Sequence, residues 1–353
     1  MSLTIKLLRT IGSPFASEQT LANNYDEAID LYTYAIKNKI GLFYLKALKD
    51  RGKLGQFESE YKEQSRKYNE ILTTITRSAK LLDSAGIKYA IFKSILPYPA
   101  IPNDVDIIVF GSDNEYKEAK EVMLQAGYKI IGIGPHQIMF HDIRGGDHID
   151  PYKKDVYDID LYQNVSASHL IYLDKRKLAE NVTEIRLLNG ERIKVLTPET
   201  ELMTMILHSI IPEQLYTFFV YYATLYHLVK MNSDEIYRFI NIVRENNVTF
   251  PVMTHYSLVE ELHQAAYGFV PQKIEKILSN LGNKTIERKN FVKNDFKMPH
   301  RYSLLTIIIS LLEKSKEYQF RRSAARQFID VLNPKSTTRV ISDFIRRRKR
   351  ETY

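Results

Sequence analysis

Apolar positions change their spacing twice along this chain, and the two changes divide it. Across residues 57–84, Tyr61, Tyr68, Leu72, Ile75, Ala79 and Leu82 recur at intervals of three, four and seven, the period of one helical face. Gly86 follows where a helix-ending residue belongs. With Ser17 placed to cap Glu18-Gln19-Thr20, almost everything over 18–86 reads helical. The pattern then shortens. Residues 87–92 and 105–110 are compact β-branched and aromatic runs, and Pro97, Pro99 and Pro102 forbid regular structure between them, so the stretch reads as strand, loop, strand.

A helix over 113–126, capped by Ser112 or Asp113 and closed by Gly127, is predicted next, followed by strands over 128–133, 136–143 and 157–162. Residues 183–188 and 191–196 flank Asn189-Gly190, a strong hairpin signal. Helical spacing returns at Pro198, which suits a first helical position, with Glu199 to Glu201 in the first turn. Seven helices are predicted, over 198–210, 213–230, 234–246, 251–267, 272–281, 302–320 and 337–349. These elements imply an α+β fold in which a small mixed β-sheet core (87–197) is flanked by an N-terminal helical segment (1–86) and a C-terminal helical domain (198–353).

Candidate chemistry sits on the short strands. Asp104 and Asp106 are two apart, and alternate strand residues face the same side. Asp158 and Asp160 repeat the pattern on a later strand. Carboxylates gathered on one face of a sheet offer hard oxygen ligands of the kind Mg²⁺ takes together with substrate phosphates, which points to phosphoryl or nucleotidyl transfer. The loop over 144–157, with His148, Asp150, Lys153, Lys154 and Asp155, lies beside that later strand; His141, His148 and Asp150 match no zinc-ligand spacing. A lone His208 on an apolar helix reads as a core histidine, with a histidine on a helix facing the site as the alternative. The aromatic cluster Tyr216, Phe218, Phe219, Tyr221, Tyr222 and Tyr226 covers nearly every face of its helix and is expected to be buried.

Phe92-Lys93-Ser94, nine further residues, then Asp104-Val105-Asp106-Ile107 resembles the signature of the polymerase-β-type nucleotidyltransferases. With Ile159-Asp160-Leu161, the chain is similar to their uncharacterised, minimal branch over roughly residues 79–209. The resemblance implies transfer of a nucleoside monophosphate from an NTP such as ATP to a hydroxyl on an RNA 3′ end, a protein or a small molecule, including a toxin-like role. It implies Mg²⁺ or Mn²⁺ held by Asp104, Asp106 and Asp160, with Asp158 the alternative third carboxylate, and a triphosphate contacted by Lys93 and Ser94. Asp160 would also help deprotonate the acceptor. Two positions depart from that branch: Ser94 stands where it carries Gly, a residue favoured where backbone approaches a ligand, and Tyr162 stands where it carries His. An inactive module binding nucleic acid or a protein partner is the alternative.

Charge and composition narrow the setting. The net charge of +8 falls entirely in residues 301–353, where thirteen Lys and Arg meet five Asp and Glu. Its densest part, Arg346-Arg347-Arg348-Lys349-Arg350, suits nucleic-acid phosphates or a solvated tail. The chain has no cysteine, which excludes thiolate chemistry and disulfides. With 44% hydrophobic and 26% charged residues, no long apolar run and no signal-peptide pattern at its start, it is expected to be a cytoplasmic protein without a membrane span.

Overall fold

The computed structural model describes residues 1–16, 25–147, 154–187, 190–282 and 286–332. A mixed sheet of seven strands lies at its centre, in the order β3-β4-β5-β2-β1-β9-β8. Those strands are β1 (Tyr89–Phe92), β2 (Val105–Val109), β3 (Tyr128–Ile133), β4 (Gln137–Asp142), β5 (Asp158–Tyr162), β8 (Val182–Arg186) and β9 (Arg192–Leu196). Between β5 and β8 the chain makes a separate hairpin, β6 (Val165–Ala167) and β7 (Leu170–Leu173). The fold is α+β with helical flanks, and β2 and β5 run parallel at its middle, with Asp106 opposite Asp160.

Fourteen α-helices stand among the described residues. Before the sheet come α1 (Leu3–Ile11), α2 (Tyr25–Lys37), α3 (Gly41–Lys49) and α4 (Glu58–Ser84); within it come α5 (Asp113–Gln125) and the short α6 (Lys175–Ala179). After it come α7 (Pro198–Ile210), α8 (Phe218–Lys230), α9 (Ser233–Glu245), α10 (Thr249–Tyr267), α11 (Gln272–Leu281), α12 (Ile286–Lys293), α13 (Leu304–Lys314) and α14 (Tyr318–Leu332). Local chemistry explains their ends. Helix α4 stops in a Schellman turn, with Gly86 at φ 70° and the amides of Gly86 and Ile87 donating to the Asp83 and Leu82 carbonyls. Helix α5 starts in a Ser112–Glu115 capping box.

The two faces of the sheet bury different partners, as strand alternation requires. Tyr89, Ile91, Ile107, Val109, Ile159 and Leu161 pack with Ile71, Ile75 and Leu82 of α4 and with Ala119 and Met123 of α5. Ala90, Phe92, Ile108 and Tyr162, on the opposite face, join a larger core built from α1, α3 and the helices after the sheet. Helix α1 belongs with those later helices in space: Thr4 donates to the Phe296 carbonyl at 2.8 Å, Arg9 to Ala266 and Tyr267 to Leu8, both at 2.7 Å. Packing therefore does not follow the chain-order division at residue 86, since α4 serves the sheet while α1 and α3 serve the helical layer.

Several elements differ from the expected ones. Residues 213–217 do not join α8, because β10 (Leu215–Tyr216) pairs with β11 (His300–Arg301) and their ladder takes the backbone groups a helix start would need. The same pairing delays the helix expected at residue 302, which then breaks after Lys314. There the buried ammonium turns inward to the Asn246 carbonyl, 2.7 Å away, and to Glu317. Helices α1, α6 and α12 and the β6–β7 hairpin carry no strong sequence signal. The aromatic cluster is buried at Tyr216, Phe218, Tyr221 and Tyr222, although Tyr216 lies on β10 and not on the helix. The Ser17 cap, His148 and Asp150, Asn189 of the hairpin turn, and the last helix and basic tail over 337–350 lie outside the described residues. Among the described residues no helix is long and apolar enough to cross a membrane.

Candidate metal centre

Three carboxylates meet on the face of the sheet beneath the helical layer. Asp104 ends the loop before β2, Asp106 is the second residue of β2, and Asp160 lies beside it on β5. Side-chain oxygens of all three lie within 4.8 Å of one another. Asp158, two residues earlier on β5, does not join them. It is held by His141 Nδ1 at 2.7 Å and by the Asp155 amide at 2.8 Å, so Asp160 is the carboxylate that completes the cluster.

Two lysines answer this negative charge. Lys154 places its ammonium 2.5 Å from Asp160 Oδ1 and 3.2 Å from Asp104 Oδ2, bridging the two. Lys93, 7% exposed, lies 3.1 Å from Asp106 Oδ1, with its ammonium over the rings of Phe92 and Tyr162. Burial opposes ionisation of every member of the group, and the neighbours decide the outcome. Asp160 is pushed up to about 8 by burial and by Asp104, with Lys154 only partly compensating. Asp106 is raised by burial against the pull of Lys93, whereas Asp104 falls below the ordinary carboxylate range because Lys154 and Lys93 together outweigh its burial. Near neutral pH Asp160 therefore largely keeps its proton, and the two ammonium groups face Asp104 and Asp106.

The turn between β1 and the loop is built with care for backbone as well as charge. Lys93 sits at φ 59°, the left-handed region that favours glycine. Glu201 of α7 holds it there, accepting the Lys93 amide at 2.5 Å. Ser94 is buried, donates to the Phe92 carbonyl at 3.1 Å and accepts the Asp106 amide at 2.8 Å. Its hydroxyl thus ties the loop to β2.

His208 does not sit in the core as expected. It stands in the site wall, with Nδ1 3.3 Å from Lys93 Nζ and 3.2 Å from the Tyr172 hydroxyl, and Nε2 3.6 Å from Glu213. Gln137 donates to Asp160 Oδ2 at 3.3 Å, and the Tyr162 hydroxyl lies 3.5 Å from the same oxygen. Glu201, Gln137 and Tyr172 carried no sequence signal as site residues, and Glu201 read only as an acidic residue in the first turn of a helix.

The donor set fits a small divalent cation. It consists of hard carboxylate oxygens close enough to share an ion, and the Lys154 ammonium between Asp104 and Asp160 marks where positive charge is already accommodated. No protein-family model matches the chain, and a search of curated proteins finds none similar to it.

Proposed function

We propose that this protein is a metal-dependent nucleotidyltransferase, moving a nucleoside monophosphate from an NTP to an acceptor hydroxyl. The observation that carries the reading is the convergence of Asp104, Asp106 and Asp160 on one face of adjacent parallel strands. In the reaction the acceptor oxygen bonds to the α-phosphorus as the bond from that phosphorus to the bridging oxygen breaks, and pyrophosphate leaves. Mg²⁺ or Mn²⁺ bound by the three aspartates would supply Lewis-acid stabilisation of the charge on phosphoryl oxygens.

The chain's own residues supply position and protons. Asp160 in its ionised form, on the strand beside the loop that carries Lys154, takes the acceptor's proton. Lys93 and Lys154 offset charge on the leaving pyrophosphate, and Glu201 and Ser94 hold the turn from which Lys93 projects. Phe92 and Tyr162 wall the Lys93 ammonium from water, which strengthens its interaction with any anion.

One observation favours a second reading. Lys93 and Lys154 already occupy the carboxylates much as cations would, the arrangement of a fold that has given up turnover and binds nucleic acid or a protein partner. Incubation with each α-labelled NTP, Mn²⁺ and total RNA or protein extract separates the two. The wild type is expected to transfer label and Asp104→Asn to lose it while remaining folded, because Lys154 keeps Asp160 as a partner in that variant. Equal transfer by both proteins would refute the site, and no transfer by either favours the inactive module. Asp106→Asn is the poorer probe, since it leaves the buried Lys93 ammonium without its carboxylate.

A further inference from the structure

Beside the three aspartates a second feature opens that the proposed chemistry does not use. A cleft of about 310 Å³ lies between the ends of α2 and α3, the middle of α4, the loop before Asp104 and the residues preceding β5. Its polar lining is Lys39, Gln64, Lys67, Asn103, Lys154 and Asp155, and the remaining lining residues are aliphatic, proline or glycine. Three ammonium groups and two amides thus face one carboxylate within the lining, the ammonium groups being paired with Glu213, Glu63, Asp104 and Asp160 around it.

The cleft and the carboxylate cluster share a wall. Lys154 lines the cleft and also bridges Asp104 and Asp160, while Asn103 is the residue next to Asp104. Lys39 adopts a left-handed backbone at φ 61°, a strained choice for a residue with a side chain. That backbone places its ammonium 3.5 Å from Glu213 at the rim of the site. Among the described residues Lys67 on α4 pairs with the exposed Glu63, 3.7 Å away. The exposed Lys67–Glu63 pair is weak in water and yields readily to a phosphate. The cleft's volume is at the lower end of ligand pockets, room for one phosphorylated sugar or one terminal nucleotide.

We infer that this cleft binds the acceptor, a molecule carrying a phosphate close to a free hydroxyl, with Lys39 and Lys67 on the phosphate and the hydroxyl directed past Lys154 to Asp160. The inference rests on the transferase reading for the role of the bound molecule, but not for its binding. A phosphorylated sugar and the 3′-terminal nucleotide of an RNA share the required chemistry.

The test uses ribose 5-phosphate and a six-nucleotide RNA with a free 3′-hydroxyl, titrated without nucleotide into the full chain and into Lys67→Glu, with Mn²⁺ affinity measured in parallel. Lys67 lies on the surface of α4, so its replacement spares the fold. Ribose 5-phosphate affinity is expected to fall at least tenfold in the variant while Mn²⁺ affinity stays within twofold. RNA that binds with the same Lys67 dependence and is displaced by ribose 5-phosphate supports the cleft and identifies a nucleic-acid end as the source. Equal affinity of wild type and Lys67→Glu for both probes, or no binding of either by the wild type, overturns the inference whatever the metal result. No Mn²⁺ binding by the wild type, with Lys67-dependent phosphate binding intact, overturns the transferase reading alone.

Discussion

Glu201 gives the sharpest quantitative handle on the site. Its carboxyl is buried beneath the Lys93 turn, with Oε1 on the Lys93 amide and Oε2 without a hydrogen-bond partner among the described residues. Burial pushes its pKa from 4.5 up to about 8, against the opposing pull of the Lys93 amide and charge. A carboxyl whose folded pKa is raised keeps its proton while the unfolded chain has lost it, so folding is penalised progressively as pH rises from 4.5 towards 8. At about 1.4 kcal/mol per pH unit, the penalty grows by about 3–4 kcal/mol between pH 5 and pH 8. Glu201→Gln retains an oxygen for the Lys93 amide and removes the titration. With an unfolding entropy of about 2.1 cal/mol/K per residue, the wild-type Tm should drop about 5 °C more than that of Glu201→Gln over this range. Differential scanning calorimetry of both proteins at several pH values reads this directly, and other titrating groups cancel in the comparison. Parallel Tm curves would show that Glu201 is not the buried, neutral clamp described here.

Lys154→Met keeps the aliphatic stem but removes the ammonium between Asp104 and Asp160; Mn²⁺ affinity by titration calorimetry should rise at least about tenfold, or 1.4 kcal/mol, and a fall would show that Lys154 supports the ion and does not compete with it. Glu287, buried and bonded by His300, Ser303 and Thr306, has its pKa lowered to about 2 by those bonds against its burial. The stability it contributes is present above pH 4.5 and lost as pH falls towards 2, so Glu287→Gln should cost about 3 kcal/mol at pH 7 and nothing near pH 2, checked by urea unfolding at the two pH values. If the acceptor is nucleic acid held also by the basic tail, truncation after Ile345 should flatten the salt dependence of RNA binding by up to about 3.5 in log–log slope; an unchanged slope removes Arg346 to Arg350 from binding.

The carboxylate cluster was legible because its parts are local. Asp104 and Asp106 are two residues apart, and Asp160 lies in a run whose alternation shows its face. The long helix α4, its glycine stop and the hairpin strands were legible for the same reason, each being written in consecutive residues. What surrounds the cluster was not. Glu201 reaches Lys93 across 108 positions, and only the packing of α7 over the sheet brings them together. The counter-ion role of Lys154 depends on a loop folding back over its own strand, and a lysine in a polar loop carries no mark of that. Nothing in the sequence marks Lys93 for the left-handed backbone that glycine favours, at φ 59°, where Glu201 accepts its amide. Helices α8 and α13 were misjudged at their starts because β10 and β11, two residues each, pair across a long separation and override the helical periodicity.

The bond between Thr4 and Phe296 spans 292 positions, and this fixes an order of events during synthesis. Helix α1 meets α2 and α3 soon after it is made, but its bonds to Phe296 and Ala266 wait for residues translated much later. At 5–20 residues per second the interval is on the order of tens of seconds. Through that time one face of the sheet already has α4 and α5 to pack against, while its other face, with Phe92, Ile108 and Tyr162, waits for the helices that follow the sheet. A chain arrested before α10 would hold the strands that carry the aspartates without the layer that closes around its own beginning.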